Sequence, residues 1–247
     1  MISNGWNITA VILLIMASVL LIAIILQAHG RSRSIDRIRS KKRNPEKNNP
    51  GGKRKVVVLE GFSGRSIENV AGSLFKMLGE MGLEIIPIEH MPYKGIIPRL
   101  IHAKSIEEFA EQAYSKIAKL NDNDVIIAYS MGVLVLRYVL EKMGIGNNPT
   151  VILVGGPNLG CRWKYAFLFL VPCIREMLPG SEFLKEMGLP SNRDYWYLVA
   201  DQDEKVSPES ACPVLTDRDS YFDCGHRMFD YPSCLEQIKK IITMSGR

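Results

Sequence analysis

The chain has 247 residues, 47% of them hydrophobic, which is enough for one domain with a hydrophobic core and a short appendage. Its net charge of +5 belongs to one segment, because residues 31–55 hold eleven Lys/Arg against two acidic residues, whereas residues 56–247 hold 20 Lys/Arg against 24 Asp/Glu. A mildly acidic domain argues against nucleic acid as a partner. The five cysteines form no CxxC pair and show no zinc-ligand spacing, which excludes a recognisable zinc motif. An odd number of cysteines without such a pattern suits a reducing compartment.

Residues 1–30 predict a membrane anchor. Residues 6–28 contain no Lys, Arg, Asp or Glu, and a helix of that length is roughly 34 Å long, sufficient to cross a hydrocarbon core of about 30 Å. The alternative is a cleaved signal peptide, which would carry basic residues before a shorter apolar core. Residues 1–7 carry none, and we therefore predict a single transmembrane helix.

Residues 31–54 form the predicted basic juxtamembrane linker. Positive charge directly after a span marks its cytoplasmic flank, so we expect the domain on the cytoplasmic side of the cell membrane. The basic residues 31–55 also attract anionic lipid headgroups. A solvated flexible linker and a nucleic-acid arm are the alternatives. The linker ends in NPEKNNPGG, residues 44–52, which cannot hold a helix, and the folded domain is predicted over 55–247.

Strand and helix patterns alternate along this domain. Continuous apolar strands between helices predict an α/β fold with a mainly parallel sheet of about six strands flanked by helices. Such sheets bind ligands in the turns at the carboxyl ends of their strands. Strands are predicted over 56–59, 83–88, 125–129, 151–154, 195–200 and within 214–222, and helices over 67–78, 105–120 (opened by a capping box of Ser105 and Glu108), 133–142 and 231–244.

The turn after the third strand contains a candidate nucleophile. It reads Ala128-Tyr129-Ser130-Met131-Gly132, a small residue, any residue, serine, any residue and glycine between a buried strand and a helix. A serine on such a strained turn needs small neighbours two positions before and after it, and its hydroxyl then projects above the sheet. The alternative is an ordinary turn in which Ser130 caps the helix.

A serine hydroxyl needs a base before it can act as a nucleophile, and the chain offers four histidines. His226 lies in a loop between the last strand pattern and the last helix, from which an imidazole can reach over the sheet edge to Ser130. His90, in the loop after the second strand, is the alternative base.

The base in turn needs a carboxylate that fixes its tautomer and stabilises its charged form. The fifth predicted strand runs into VADQDEKVSP, residues 199–208, and Asp203 lies in the turn at its carboxyl end. Asp201 and Glu204 are the competing acids, and some of the three are expected to be simple turn residues or helix caps.

A tetrahedral intermediate also needs donors for its oxyanion. The first strand runs into Glu60-Gly61-Phe62-Ser63-Gly64, where glycines let the backbone pass close to the nucleophile. We predict the N–H groups of Phe62 and Met131 as the donors. The alternative is a phosphate-binding turn, but this loop has neither GxGxxG nor GxxxxGK[ST].

Residues 56–247 resemble the α/β-hydrolase superfamily, in particular its small microbial triacylglycerol lipases and esterases. One departure is that these proteins usually have His-Gly where this chain has Glu60-Gly61, which puts a carboxylate beside the predicted oxyanion site. This carboxylate would repel the developing negative charge; the alternatives are that it points away or pairs with Arg65. The resemblance rests on EGFSG at 60–64, AYSMG at 128–132, GGPNLG at 155–160, LPGSEFL at 178–184, VADQDEKVSP at 199–208 and GHRMF at 225–229.

The resemblance implies the α/β-hydrolase fold with Ser130, Asp203 and His226 as a catalytic triad in the chain order of that fold. It assigns the oxyanion roles to Phe62 and Met131. It also implies that the insertion at 157–192, with its apolar run over 163–172, is a cap that lines an acyl pocket or dips into lipid; a core helix packed on the sheet is the alternative.

The predicted reaction is hydrolysis of a carboxylic ester through an acyl-enzyme, without metal or organic cofactor. The anchor, the basic linker and the apolar cap favour a lipid-like or acyl-chain ester at the inner membrane face. A thioesterase, amidase or acyltransferase on the same fold is one alternative, because the triad chemistry is shared. A catalytically inactive, membrane-bound interaction module is another, which Glu60 favours.

Overall fold

The computed structural model describes residues 53–62, 67–90, 103–162, 171–191 and 194–246. The predicted anchor and the linker up to residue 52 lie outside these residues. Among the residues that are described, no helix is both long enough and apolar enough to cross a bilayer.

Six strands form one sheet in which each pair of neighbours is parallel, in the order β2-β1-β3-β4-β5-β6. The predicted parallel sheet is confirmed, and the segment 214–222 contains the sixth strand, over its final four residues. The strands are β1 Lys55–Leu59, β2 Glu84–Ile88, β3 Val125–Tyr129, β4 Thr150–Val154, β5 Tyr195–Ala200 and β6 Asp219–Phe222.

Helices cover both faces of the sheet. The predicted capping box at Ser105 and Glu108 is present, with each side chain bonded to the other residue's backbone N–H. The helix after β3 begins earlier than predicted, directly after Ser130. The helices are α1 Ile67–Glu80, α2 Ile106–Ile117, α3 Met131–Arg137 with a π-helical continuation Tyr138–Met143, α4 Pro172–Glu176, α5 Glu182–Met187, α6 Pro208–Ala211 and α7 Pro232–Met244, preceded by a 3₁₀ turn Met228–Asp230.

Alternate residues of each strand point to opposite faces, and both faces are buried, which explains the continuous apolar runs in the sequence. In β3 all five residues are buried. Val125 and Ile127 pack on the side of α1 and α7, whereas Ile126 and Ala128 pack on the side of α2 and α3.

The sheet order places a topological switch point between β1 and β3. From β1 the chain moves outward to β2, then returns past β1 to β3 and continues in the other direction. Connections therefore diverge at the carboxyl ends of β1 and β3 and leave a crevice there, which is where open parallel sheets bind ligands. Phe62 follows β1 and Ser130 follows β3 at this edge.

The predicted insertion at 157–192 contains α4 and α5. Its apolar run lies outside the described residues over 163–170, so the assignment of a cap or a core helix stays a prediction. All five cysteines of the chain are buried and free.

Both ends of this insertion contact one buried guanidinium, that of Arg137 at the end of α3, which is fully buried. Arg137 donates to Asn158 Oδ1 at 3.1 Å near the start of the insertion and to the Gly188 carbonyl at 3.0 Å near its end. It also makes two hydrogen bonds of 3.0 Å to the carboxylate of Glu141. The insertion is thereby fastened to the helix that follows Ser130.

We predict that Arg137→Met destabilises the fold by about 3–5 kcal/mol, because it leaves the buried Glu141 carboxylate without its counter-ion. The matched control is Arg227→Met, which removes the exposed ion pair between Arg227 and Asp230 and is expected to cost no more than about 1 kcal/mol. Urea unfolding of the two variants measures both free energies. Equal losses in the free energy of unfolding would mean that the buried ion pair of Arg137 and Glu141 does not stabilise the fold more than an exposed one.

Candidate active site

Ser130 lies on a strained turn between β3 and α3. Its backbone has φ 52° and ψ −124°, and it is the one non-glycine residue with positive φ in the part of the chain that the structure describes. Such a conformation costs of the order of 1–3 kcal/mol and persists where surrounding structure enforces it. The Ser130 N–H donates to the Val154 carbonyl at 2.9 Å, and the Ser130 carbonyl accepts from the Val133 N–H at 3.0 Å. The Ser130 side chain makes no capping bond to α3, so the alternative of a helix cap is wrong.

The neighbours of this turn must be small because backbones approach it closely. A Cβ on Gly132 would lie 2.6 Å from the Glu60 carbonyl oxygen, and one on Gly61 would lie 2.7 Å from Ser130 Cβ. Real Cβ atoms essentially never approach other atoms this closely, so both positions require glycine. The loop after β1 and the turn after β3 are therefore in direct contact.

The structure brings Ser130, His226 and Asp203 together in one chain of hydrogen bonds. Ser130 Oγ lies 3.0 Å from His226 Nε2, and His226 Nδ1 lies 2.6 Å from Asp203 Oδ2. The side chains of His226 and Asp203 are 8% and 1% exposed, so little water competes for these bonds. The arrangement can pass the hydroxyl proton of Ser130 to the imidazole while the carboxylate holds the other ring nitrogen.

Asp203 has the contacts of a carboxylate held in its charged form. Its second oxygen, Oδ1, accepts from the N–H groups of Lys205 at 2.8 Å and Val206 at 3.0 Å. Burial on its own would raise the pKa of Asp203, but the hydrogen bond and charge of His226 and the two backbone N–H groups lower the pKa below its ordinary value.

The competing residues lie elsewhere. His90 is buried beside Phe109, with ring centroids 5.3 Å apart, and neither of its ring nitrogens has a hydrogen-bond partner in the described structure. Burial lowers the pKa of His90 to about 3. Asp201 and Glu204 are exposed. Of the histidines and acids considered from the sequence, His226 is the one that contacts Ser130, and Asp203 is the one that contacts His226.

The two residues predicted as oxyanion donors adjoin the serine turn in different ways. Met131 is the first residue of α3, where a backbone N–H has no acceptor within the helix. Phe62 is half-buried and follows Gly61, which packs on Ser130. Glu60 is 4% exposed and its N–H donates to the Ile88 carbonyl at 3.2 Å. Arg65, the partner considered for Glu60, lies outside the described residues.

Two further contributors were not predicted from the sequence. Gly155, after β4, has φ +54°, and a Cβ there would lie 3.7 Å from Asp203 Oδ2 and 3.9 Å from His226 Nδ1. Its signal in the sequence is a glycine pair directly after a buried strand. The other is Tyr129, whose hydroxyl donates to the His226 carbonyl at 2.7 Å; no sequence pattern indicates that contact.

No set of three or more His, Cys, Asp or Glu side chains within the described ranges could hold a metal ion. No family model matches the chain, and no curated protein sequence matches it.

Solved structures do resemble it. The ydeN gene product of B. subtilis is 14% identical, covers 77% of this chain and 99% of its own, and superposes with a TM-score of 0.55. A structure from the work on LipS and LipT, two metagenome-derived lipolytic enzymes, is 13% identical, with 78% and 95% coverage and a TM-score of 0.56. The thioesterase domain from the curacin biosynthetic pathway is 12% identical, with 77% and 91% coverage and a TM-score of 0.54.

At such identities the likeness concerns the fold alone, and it agrees with the parallel six-stranded sheet flanked by helices described above. This chain has the α/β-hydrolase fold.

Proposed function

We propose that the chain is a serine hydrolase that cleaves carboxylic esters through an acyl-enzyme. The observation that carries the proposal is the pair of contacts of His226, 3.0 Å to Ser130 Oγ and 2.6 Å to Asp203 Oδ2. Two of the similar structures named above support it, since one comes from work on lipolytic enzymes and another is a thioesterase domain.

In the first half of the reaction, Ser130 Oγ attacks the ester carbonyl while His226 Nε2 takes the hydroxyl proton. The N–H groups of Phe62 and Met131 stabilise the negative oxygen of the tetrahedral intermediate. The intermediate then collapses, the bond to the alcohol oxygen breaks, and the alcohol leaves with the proton from His226.

In the second half, His226 takes a proton from water as the water attacks the acyl-serine. When the second tetrahedral intermediate collapses, the bond from the acyl carbon to Ser130 Oγ breaks, the acid is released and His226 returns the proton to Oγ. Asp203 serves both halves, because its contact with Nδ1 leaves Nε2 free to accept a proton and stabilises the charged imidazole.

A thioester is the second candidate substrate. The same groups would act on it, and a thioesterase domain is among the similar structures. Amidase or acyltransferase activity would also use this geometry. The buried Glu60 next to Gly61 favours the alternative of an inactive interaction module, because a carboxylate there opposes the negative charge that develops on the oxyanion. Comparing p-nitrophenyl esters with acyl thioesters of equal chain length separates the first two substrate classes.

We also propose that residues 1–30 anchor the enzyme to the cell membrane, with residues 31–55 against anionic lipid and the catalytic domain on the cytoplasmic side. The support is sequence composition alone: an uncharged apolar stretch followed by eleven basic residues. A lipid-like ester is then the substrate that such a tether would suit.

Covalent labelling tests the nucleophile and the base. A fluorophosphonate probe is expected to label the wild-type chain, and Ser130→Ala and His226→Ala are expected to abolish labelling, because one removes the attacking oxygen and the other its base. His90→Leu is the matched control and should label normally, since neither His90 ring nitrogen has a hydrogen-bond partner among the residues that the structure describes. Labelling that persists in Ser130→Ala would show that Ser130 is not the nucleophile. Normal labelling of His226→Ala would show that His226 is not the base.

Asp203→Asn is predicted to reduce kcat by about 10⁴-fold, because an amide no longer holds the required imidazole tautomer. Since the fold lowers the pKa of Asp203, its charged form stabilises the wild type above about pH 4. That contribution is lost as the pH falls through the folded-state pKa. The wild type should therefore lose more stability than Asp203→Asn on acidification below about pH 4.

The control for this experiment is Asp201→Asn, which changes an exposed acid in the same turn. Its kcat and its acid unfolding should match those of the wild type. A comparable loss of kcat in both variants would show that the carboxylate at 203 has no special role.

Alkaline carbonate extraction of membranes tests the anchor. The full chain is expected to stay in the pellet, whereas the double change Leu14→Arg and Ile15→Arg should release it, because each charge near the centre of a span costs about 2.5–3.5 kcal/mol on insertion. The apolar double change Leu14→Phe and Ile15→Val is the control and should remain in the pellet. Extraction of the wild type would contradict a transmembrane anchor.

A further inference from the structure

Tyr129 immediately precedes Ser130, and its side chain contacts the residue that supplies the base. The ring is 5% exposed and its hydroxyl donates to the backbone carbonyl of His226 at 2.7 Å. The ring centroid lies 5.2 Å from that of His226 and 5.0 Å from that of Phe229. His226 is thus joined to two consecutive residues, through its carbonyl to Tyr129 and through its imidazole to Ser130.

The segment that carries His226 has little regular structure of its own. It lies between the end of β6 at Phe222 and the 3₁₀ turn Met228–Asp230. Among the described residues, its backbone hydrogen bonds are local or to the turn after β5: Met228 N–H donates to the His226 carbonyl at 2.9 Å, and Gln202 N–H donates to the Cys224 carbonyl at 3.1 Å. The hydrogen bond from the Tyr129 hydroxyl joins the backbone of His226 to β3, the strand that Ser130 follows.

We propose that Tyr129 is a positioning residue that sets the distance and angle between His226 Nε2 and Ser130 Oγ. The proposal rests on the proposed function, because it assigns Tyr129 a role in that reaction. A bond from residue 129 to the backbone of residue 226 fixes the base directly to the residue before the nucleophile, independently of the length of the loop. The hydroxyl acts through His226 and does not itself contact the substrate.

The Tyr129 hydroxyl keeps its proton throughout the range in which such an enzyme works. Burial raises its pKa far above the ordinary tyrosine value, and the negative charges of Asp203 and Glu204 raise it further. The donor in this bond is therefore constant, and the imidazole is the group that changes protonation during the reaction.

Tyr129→Phe tests the bond with little other change. The ring and its contacts with His226 and Phe229 remain, and the His226 carbonyl keeps the Met228 N–H as a donor. The matched control is Tyr195→Phe, because Tyr195 is equally buried and donates to Glu141 Oε1 at 2.9 Å, away from the site. Glu141 retains Arg137 in that variant.

We expect both variants to show similar small shifts in thermal unfolding midpoint. With an ester substrate, Tyr129→Phe is expected to lower kcat by about 10- to 100-fold with KM within about two-fold of the wild type, because misplacing a reacting group by about 1 Å costs rates of this size. Tyr195→Phe should retain the wild-type kcat and KM. Equal kcat in the two variants would overturn the positioning role.

A second measurement tests the positioning role of Tyr129 without requiring that the protein be active. The chain has four histidines, so the imidazole ¹⁵N signals of His226 can be identified by their loss in His226→Ala. These signals report which ring nitrogen carries the proton, whether or not the protein turns over a substrate. Tyr129→Phe should shift the Nε2 signal, which is sensitive to the hydrogen bond with Ser130 Oγ, and Tyr195→Phe should leave both signals unchanged.

Unchanged His226 signals in Tyr129→Phe would overturn the positioning role even in an active enzyme. A wild type that neither labels with fluorophosphonate nor hydrolyses esters, but whose His226 signals shift in Tyr129→Phe, would contradict the proposed function and leave the positioning role standing.

Discussion

The close approach of two backbones at the carboxyl edge of the sheet is the constraint on which the site depends. Ser130 holds a positive φ that costs free energy in an L-residue. It can do so because Gly132 and Gly61 have no side chains where a Cβ would lie within 2.7 Å of neighbouring atoms. The cost is met by the buried parallel strands β1 and β3 on which the two turns stand.

The same constraint produces the electrostatics of the site. Because the turn projects the serine above the sheet, an imidazole from a distant loop can meet its hydroxyl while remaining almost fully buried. Burial makes a lone carboxylate costly, and Asp203 is therefore surrounded by donors: the imidazole and two backbone N–H groups. The strained backbone of Ser130 and the charged, hydrogen-bonded side chain of Asp203 are thus connected through the imidazole of His226.

The sequence predicts the sheet and the strained serine turn for physical reasons. The strand over 125–129 can be recognised in the sequence because both faces of a buried parallel strand are apolar. The serine turn can be recognised because close backbone contacts allow only small residues near Ser130. Asp203 is harder to identify from the sequence as the partner of the histidine, because Asp201 and Glu204 lie in the same turn. What distinguishes it is that the N–H groups of Lys205 and Val206 point at its carboxylate, and only coordinates show that.

Other features depend on contacts between residues far apart in the chain. The bond from Tyr129 to the His226 carbonyl spans 97 residues, and no local pattern encodes it. The pattern within 214–222 indicates the sixth strand only weakly, because β6 lies at the edge of the sheet and its four residues are half-buried or exposed. Arg137 appears in the sequence as an ordinary helix residue, and its burial becomes visible only when the insertion packs against α3.

The most direct test of the central claim is the trapping of the covalent intermediate. Rapid mixing of the protein with a p-nitrophenyl ester should give a burst of about one p-nitrophenol per chain, and peptide mass mapping after acid quenching should find the acyl group on Ser130. A folded protein that shows no burst and no adduct, or an adduct on another residue, would contradict the account.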